Sequence, residues 1–352
     1  MSETMSVTGL FHRFQRFRTL QTDRITALPI VILMPHSACN CRCVMCDIWK
    51  GNAHLKQLVQ DDIEGLLDSL RRLGARQVLM SGGEALLNPS FFDFCSILKK
   101  QGVRITLLST GLTLARHAIQ VVKWVDEVIV SLDGDEPLHD SIRNIRGAFQ
   151  KLGDGVRRLR LIRPSFPVTG RTVIHRLNFR NWRAIIEAAA EMGLDQVSFL
   201  PADVSSQAFN RSRPWDEPRQ HEILLEESDL PALKAIIEGI IRDRPDYFET
   251  GFIAESPDKL RKIGAYYGAF YGQNPFPYKK CNAPWVSTVV EADGTVRPCF
   301  FHAPLGNIRK EPLSAILNSE KAIRFRKDLD IDKDPICARC VCYLNLRPGT
   351  TV

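Results

Sequence analysis

The stretch LPIVILMPHSACNCRCVMC, residues 28–46, joins an apolar β-rich run to a loop that holds four cysteines. Five later segments repeat the β-rich half of this pattern: QVLMS (77–81), RITLLS (104–109), EVIVSLD (127–133), RTVIHR (171–176) and QVSFLP (196–201). Helical patterns separate these segments, and strands that alternate with helices are typical of parallel βα units. We therefore predict an α/β fold with six βα units, arranged as a partial (β/α)6 barrel or as an open sheet.

Several of the predicted strands end in short polar or glycine-rich sequences. SGGE (81–84) ends strand two, STG (109–111) ends strand three and SLDG (131–134) ends strand four. The carboxyl ends of parallel strands lie at the same edge of a barrel or sheet, and functional residues collect there. We expect these sequences and the cysteine loop to meet on one rim.

The composition is that of a globular protein with a substantial core. The chain has 352 residues, of which 44% are hydrophobic, and a formal net charge of +7. No apolar run approaches the roughly 18 residues of a membrane-spanning helix, and the N-terminus lacks the apolar core of a signal peptide. We therefore expect a cytoplasmic protein with no membrane span, and its scattered basic residues do not indicate nucleic-acid binding. In a reducing compartment, ten cysteines indicate metal or redox ligands rather than disulfides.

The sequence divides into four predicted regions. They are an N-terminal extension (1–28), the βα region (29–245), an aromatic connecting segment (246–280) and a second cysteine-containing region (281–352). In the extension, Phe11, Phe14 and Phe17 alternate with arginines, which predicts a basic amphipathic helix that packs on the main domain. Contact of this helix with a membrane or a partner is the alternative. The polar, proline-interrupted segment 202–229 follows strand six and is a candidate lid.

Cys39, Cys43 and Cys46 have the spacing C-x3-C-x2-C. In these residues the sequence resembles the radical S-adenosylmethionine (radical SAM) enzymes, whose cysteine loop also follows the first strand of a βα series. The resemblance implies a 4Fe–4S cluster in which three thiolates hold three irons and the fourth iron binds SAM. Reductive cleavage of SAM would then supply a 5′-deoxyadenosyl radical. A structural zinc site that includes Cys41 is the alternative; in the cluster interpretation Cys41 is not a ligand.

The resemblance extends to the glycine-rich end of strand two. It implies that Gly82 and Gly83 let the backbone approach the cofactor closely and that Glu84 pairs with the SAM ammonium group. Ala85 stands where the family often has proline, which changes the turn and leaves the binding groups in place.

Further SAM contacts are implied on strands three and four. Ser131 and Arg143 match the serine and arginine that hold the ribose and the carboxylate of SAM, and an arginine fork suits a carboxylate. A solvent-facing helical arginine is the alternative for Arg143. Ser109 and Thr110 are candidates for the ribose, and Met45 is a candidate for an apolar contact near the adenine.

A second group of cysteines consists of Cys281, Cys299, Cys337 and Cys340. It resembles the auxiliary-cluster domain called SPASM or, in its short form, twitch. The resemblance implies one auxiliary 4Fe–4S cluster with four cysteine ligands, and zinc is the alternative. Cys342 either replaces Cys340 as the fourth ligand or is a free thiol that donates a hydrogen atom.

The resemblance implies an oxidoreductase, either a dehydrogenase or an epimerase, that takes a hydrogen atom from a small metabolite such as a sugar or cyclitol. A SPASM-type maturase of a ribosomally synthesised peptide is one alternative, and a non-catalytic metal-binding scaffold is another. A one-electron donor such as flavodoxin or ferredoxin is also implied. The sequence does not decide which residue is the general base, and the candidates are His139, His175, His302 and Arg143.

Overall fold

The structure, a computed structural model, describes residues 7–211 and 213–350, with side chains from residue 11 onward. Nine strands form one sheet in this part of the chain. They are β1 (Ile30–Leu33), β2 (Gln77–Met80), β3 (Arg104–Ser109), β4 (Glu127–Ser131), β5 (Val168–Ile174), β6 (Gln196–Pro201), β7 (Ser287–Val290), β8 (Thr295–Arg297) and β9 (Gly306–Asn307).

Helices connect and cover these strands. The α-helices are α1 (Val7–Thr22), α2 (Gln60–Arg72), α3 (Phe91–Lys99), α4 (Leu114–Trp124), α5 (Glu136–Arg143), α6 (Ala148–Ile162), α7 (Trp182–Glu191), α8 (Glu217–His221), α9 (Leu230–Asp243), α10 (Pro245–Glu249), α11 (Pro257–Ala269), α12 (Ala283–Val286), α13 (Leu313–Leu317), α14 (Glu320–Asp328) and α15 (Pro335–Ala338). Short 3-10 helices cover Ile48–Ala53, Ala85–Leu87, Phe179–Asn181 and Glu227–Asp229. None of the helices in these described ranges is both long enough and apolar enough to cross a bilayer.

The sheet has the order β6-β5-β4-β3-β2-β1-β7-β8-β9, and β1 to β6 are all parallel. The predicted series of six parallel strands is therefore confirmed. The fifth strand begins at Val168, earlier than the predicted start at Arg171. β7 adds a parallel strand beside β1, in register from Ile30 opposite Ser287. The sequence pattern does not predict this pairing, which attaches the C-terminal region directly to the edge of the six-stranded part.

The two faces of the strands differ in burial. In β5, Val168, Gly170, Thr172 and Ile174 are buried, whereas the residues between them are half-buried. Because successive side chains of a strand point to opposite faces, this alternation separates a face packed under helices from a face that lines an interior cavity. Apolar side chains of α4 and α6 cover the outer face and complete the core.

The N-terminal helix α1 packs on the protein through polar groups. Phe11, Phe14 and Phe17 are 58%, 60% and 52% exposed, so the expectation that these rings face the main domain is wrong. Arg16 is buried instead and donates to the carbonyl oxygens of Thr350 and Arg347 at 2.6 and 2.5 Å. The hydrogen bonds to the C-terminal backbone decide which face of the helix turns inward.

Candidate functional site

The loop after β1 brings together the three cysteines of the C-x3-C-x2-C pattern. Cys43 is buried, and Cys39 and Cys46 are half-buried. Burial, followed by the neighbouring charges of Cys43 and Cys39, raises the pKa of Cys46 to about 12. All three thiols lie on one short loop, residues 39–46. The loop thus presents three thiols as a group, as a cluster with three protein ligands needs.

Backbone hydrogen bonds hold this loop on its neighbours. The amides of Arg42 and Val44 donate to the carbonyl oxygens of Arg143 and Ile142 at 3.1 and 3.0 Å, which ties the loop to the end of α5. Asn52 also exchanges two hydrogen bonds with the backbone of Cys39, at 3.0 and 2.9 Å. The cysteines therefore sit on a supported loop, and such support is what keeps metal ligands in place.

Cys41 lies inside the group and not apart from it. It is 1% exposed, and its backbone amide donates to Cys39 Sγ at 3.5 Å. The hydrogen bond from Cys41 lowers the pKa of Cys43, and the charge of Arg143 lowers it further. The prediction that Cys41 is not a ligand stays a prediction, but the contact shows that Cys41 helps to set the environment of the thiolates.

The glycines after β2 let the backbone approach the cysteine loop. Gly82 has a φ of +110°, and a Cβ on Gly83 would overlap the carbonyl of Ala38 and lie 3.0 Å from the amide nitrogen of Cys39. The observed close approach is to the cysteine loop. The amide of Glu84 completes it by donating to the carbonyl oxygen of Ala38 at 2.8 Å. The implied approach of these glycines to the cofactor stays a prediction.

Glu84 is fully buried and is held by the end of β3. Its carboxylate accepts hydrogen bonds from Ser109 Oγ at 3.1 Å and from Thr110 N and Oγ1, both at 2.7 Å. Burial raises the pKa of Glu84, and the bonds from Thr110 oppose the rise. Thr110 Oγ1 also lies 2.9 Å from the side-chain amide of Asn40. Because the hydroxyl hydrogen is given to Glu84, the amide of Asn40 is the donor in this contact. The structure thus joins predicted SAM contacts of two strands with the cysteine loop.

Arg143 is 7% exposed, so the alternative of a solvent-facing arginine is wrong. It lies in the last turn of α5, which Asp135 caps at its start and Asn144 ends with a left-handed φ of 52°. The guanidinium forms an ion pair with buried Asp133, and its Nη1 donates to Cys43 Sγ at 3.4 Å. Arg143 therefore lies beside the cysteine loop. Ser131 ends β4 two residues before Asp133, and its contact with SAM stays a prediction.

The candidate lid is attached to the same loop. Trp215 Nε1 donates to Asp47 Oδ2 at 2.6 Å, directly after the third cysteine. The indole ring lies between Arg211 and Arg219, at 3.8 and 4.6 Å from the ring centroid, and Arg219 also donates to the carbonyl oxygen of Val44. Sequence reasoning missed these residues, although the CDIW sequence and a tryptophan in a polar segment were available signals. Met45, which lies between Val44 and Asp47 in the sequence, is buried.

The second cysteine group also comes together. Cys281, Cys299, Cys337, Cys340 and Cys342 line one small cavity beside α12 and α15. Cys340 Sγ donates to the carbonyl oxygen of Cys342 at 2.9 Å. All five sulfurs are free thiols, so four ligands for a metal cluster are available here. The choice between Cys340 and Cys342 as the fourth ligand stays open.

His302 belongs to this second group and does not lie at the rim where the sequence places it. Its Nε2 is 3.3 Å from Cys337 Sγ and 4.0 Å from Asp334 Oδ1. These three side chains could together hold a metal ion. Burial lowers the pKa of His139 and of His175 to about 3, so both imidazoles are neutral near pH 7.

A cavity of about 320 Å³ lies against the inner face of β4, β5 and β6. Its other walls come from α11 and from the tail that carries Cys340 and Cys342. Tyr266, one of the aromatic residues before the second cysteine group, lines it and donates to the carbonyl oxygen of Ala202 at 3.1 Å. The cavity therefore joins the inner surface of the parallel strands to the second cysteine group.

Comparison with known protein families gives a match for each of the two regions that carry the cysteine groups. The radical SAM superfamily matches residues 33–189, and the SPASM iron–sulfur cluster-binding domain matches residues 281–341. These matches imply SAM and 4Fe–4S clusters as cofactors.

Relatives and solved structures extend over most of the chain. The Fe-coproporphyrin III synthase of Methanosarcina barkeri is 25% identical over 91% of this chain and 83% of that protein. The PqqA peptide cyclase of Streptomyces rochei is 25% identical over 78% of this chain and 71% of that protein. The crystal structure of Streptococcus suis SuiB bound to S-adenosylmethionine has a TM-score of 0.65 at 12% identity and covers 96% of this chain and 79% of that one. This last likeness shows a common fold.

Proposed function

We propose that this chain, which belongs to the radical SAM superfamily and carries a SPASM domain, removes a hydrogen atom from a side chain of a peptide and so matures the peptide. SAM bound at a reduced 4Fe–4S cluster supplies the radical that such chemistry needs. The observation that carries the proposal is the cavity beside β4 to β6. Its volume of about 320 Å³ is near the lower limit of small-molecule pockets and suits one side chain of a larger substrate.

The residues of the chain divide the work. Cys39, Cys43 and Cys46 would hold the SAM-binding cluster, and buried Glu84 and Arg143 offer a carboxylate and a guanidinium for the charged ends of SAM. The cavity would exclude water from the reacting side chain. Because SAM is expected to bind at the rim, the reacting atoms of the substrate must enter the cavity from that side.

Four of the second group of cysteines would hold the auxiliary cluster, which can accept or pass on one electron. The expected net change is loss of two hydrogens from the peptide, one as a hydrogen atom and one as a proton. A one-electron donor of the flavodoxin or ferredoxin type would reduce the SAM-binding cluster. The likeness to a peptide cyclase supports this function over the oxidation of a sugar or cyclitol.

A second candidate substrate is a carboxylate side chain of a metal-containing tetrapyrrole. The likeness to an Fe-coproporphyrin III synthase over most of both chains favours it. The excess of cationic side chains around the cavity favours it as well. Only the side chain, and not the whole macrocycle, would enter a cavity of this volume.

The test starts with anaerobically reconstituted protein, dithionite and SAM, and 5′-deoxyadenosine is measured by mass spectrometry. The protein is then supplied with candidate precursor peptides encoded beside its gene, or with several iron tetrapyrroles that carry carboxylate side chains, Fe-coproporphyrin III among them. Loss of two hydrogens from a peptide supports maturation, and an altered tetrapyrrole supports the second candidate. No 5′-deoxyadenosine under any condition would refute the radical function, and a variant with Cys39, Cys43 and Cys46 all changed to Ala is the negative control.

A further inference from the structure

Arg171 lies in the middle of β5 on the face that lines the cavity. Its register neighbours are Ser131 on β4 and Ser198 on β6. Ser131 is an expected contact of the SAM ribose, and Cys342 lines the same cavity. A group bound by Arg171 would therefore lie next to the expected SAM site and beside the second cysteine group.

The guanidinium of Arg171 has no partner of its own. Within residues 7–211 and 213–350, Arg171 forms neither an ion pair nor a side-chain hydrogen bond, and its Nε is buried without an acceptor. A buried polar atom such as this Nε is costly to leave without a partner, whereas the rest of the half-buried guanidinium is accessible. Proteins keep such a group where a ligand supplies the partner.

The acids around the cavity are already engaged. Glu127 pairs with Arg104 at 2.7 Å. Glu255 accepts hydrogen bonds from Ser198 Oγ at 3.0 Å and from the amide of Phe199 at 2.9 Å. Neither acid is thus paired with Arg171.

Apart from Cys340 and Cys342, which would be anionic as cluster ligands, the side chains that line the cavity carry an excess of positive charge. Four cationic side chains line it against two carboxylates; the cations are Arg171, Lys259, Lys262 and Lys279. Lys259 is 3.4 Å from Glu255, and Lys262 and Lys279 donate to backbone carbonyl oxygens. An excess of one sign in a water-poor cleft favours a ligand of the opposite sign.

We propose that Arg171 anchors a carboxylate of the substrate inside this cavity and thereby selects acidic substrates. The planar fork of an arginine can donate two parallel hydrogen bonds to one carboxylate. This inference rests on the proposed function and narrows its substrate to a side chain that carries a carboxylate. A glutamate or aspartate of a peptide and a propionate of a tetrapyrrole are the two sources of that group.

SAM also carries a carboxylate, but a different arginine is placed to receive it. Arg143 touches Cys43 in the first cysteine loop, whereas Arg171 lines the cavity with Cys340 and Cys342. The KM for SAM therefore separates the two assignments: a variant of Arg171 should leave this KM unchanged.

The experiment measures binding of two matched pairs of probes to the reconstituted protein with SAM present. One pair is acetyl-Gly-Glu-Gly-amide and its Gln counterpart; the other is Fe-coproporphyrin III and its methyl ester. Wild-type protein should bind the acidic member of one pair more tightly. Arg171→Gln should weaken that binding about ten- to a hundredfold, as expected for a charge-assisted pair, and Arg171→Lys should recover part of it.

The control is Arg116→Gln, because Arg116 is exposed on α4 and does not line the cavity. It should keep wild-type binding. Selectivity in the peptide pair or in the tetrapyrrole pair identifies the source of the carboxylate. Equal binding of acidic and neutral probes, unchanged selectivity in Arg171→Gln, or a raised KM for SAM in that variant would each overturn the inference. If wild-type protein forms no 5′-deoxyadenosine but binds acidic probes through Arg171, only the proposed function fails.

Discussion

Gly83→Ala should remove the first iron–sulfur cluster by pushing the turn after β2 away from the cysteine loop. The added Cβ would overlap the carbonyl of Ala38 and lie 3.0 Å from the amide nitrogen of Cys39. Both atoms belong to the backbone, so neither can rotate away as a flexible side chain would. We expect a loss of about 1–3 kcal/mol in the free energy of unfolding, the usual cost of overpacking.

The assay combines iron analysis with thermal unfolding of the reconstituted protein. Two clusters correspond to about eight irons per chain, and Gly83→Ala should retain about four, because the displaced residue adjoins Cys39 and not the second cysteine group. Each kcal/mol lost should lower the Tm by about 2–4 °C.

The matched control is Gly65→Ala. Gly65 lies on the exposed side of α2, and a Cβ there would meet nothing within 4 Å. Alanine favours a helix over glycine by about 1 kcal/mol, so this variant should be slightly stabilised and keep all its iron. Full iron content and an unchanged Tm in Gly83→Ala would show that the turn does not press on the cysteine loop as described.

Four further outcomes follow from the site. Changing Cys281 and Cys299 together to Ala should leave about four irons per chain, and the same count as wild type would rule out a second cluster held by these residues. Cys340→Ala and Cys342→Ala, analysed side by side for iron, should differ: the substitution that lowers the count identifies the fourth ligand. Trp215→Phe removes the donor to Asp47 at 2.6 Å and should speed amide exchange in residues 213–229, with Trp124→Phe as the control; equal exchange in both would refute the lid attachment. His302→Gln should alter the electron paramagnetic resonance signal of the second cluster only, because His302 contacts Cys337 and none of the first three cysteines, and a change in the first cluster's signal would contradict that placement.

The sequence predicts the parts of the fold that depend only on residues close together in the chain. Each of the first six strands is a short run of β-formers followed by polar or glycine-rich residues, so its position can be found without knowing its neighbours. The spacing of Cys39, Cys43 and Cys46 is local as well. The same holds for Leu230–Asp243, where the apolar pattern coincides with α9.

The remaining features depend on contacts between distant residues. The pairing of β7 with β1 joins the C-terminal region to the first strand, and no local pattern in Ser287–Val290 specifies a partner. The sequence predicts Arg171 only as the start of a strand, because its lack of an acidic partner is visible only when the opposite walls of the cavity are known. The exposure of Phe14 illustrates the same point: the helix is amphipathic, but the hydrogen bonds of Arg16 turn its apolar side outward.

The pairing of β7 with β1 also constrains how the protein can move and be shortened. β1 leads into the first cysteine loop and β7 follows Cys281 of the second group, and the two strands are hydrogen-bonded side by side, so the sheet links the two cysteine groups directly. A fragment ending before residue 281 would leave the hydrogen-bonding edge of Ile30–Leu33 bare. The unpaired backbone groups of an exposed edge strand can pair with another chain, so we expect such a fragment to self-associate and not to act as a truncated enzyme.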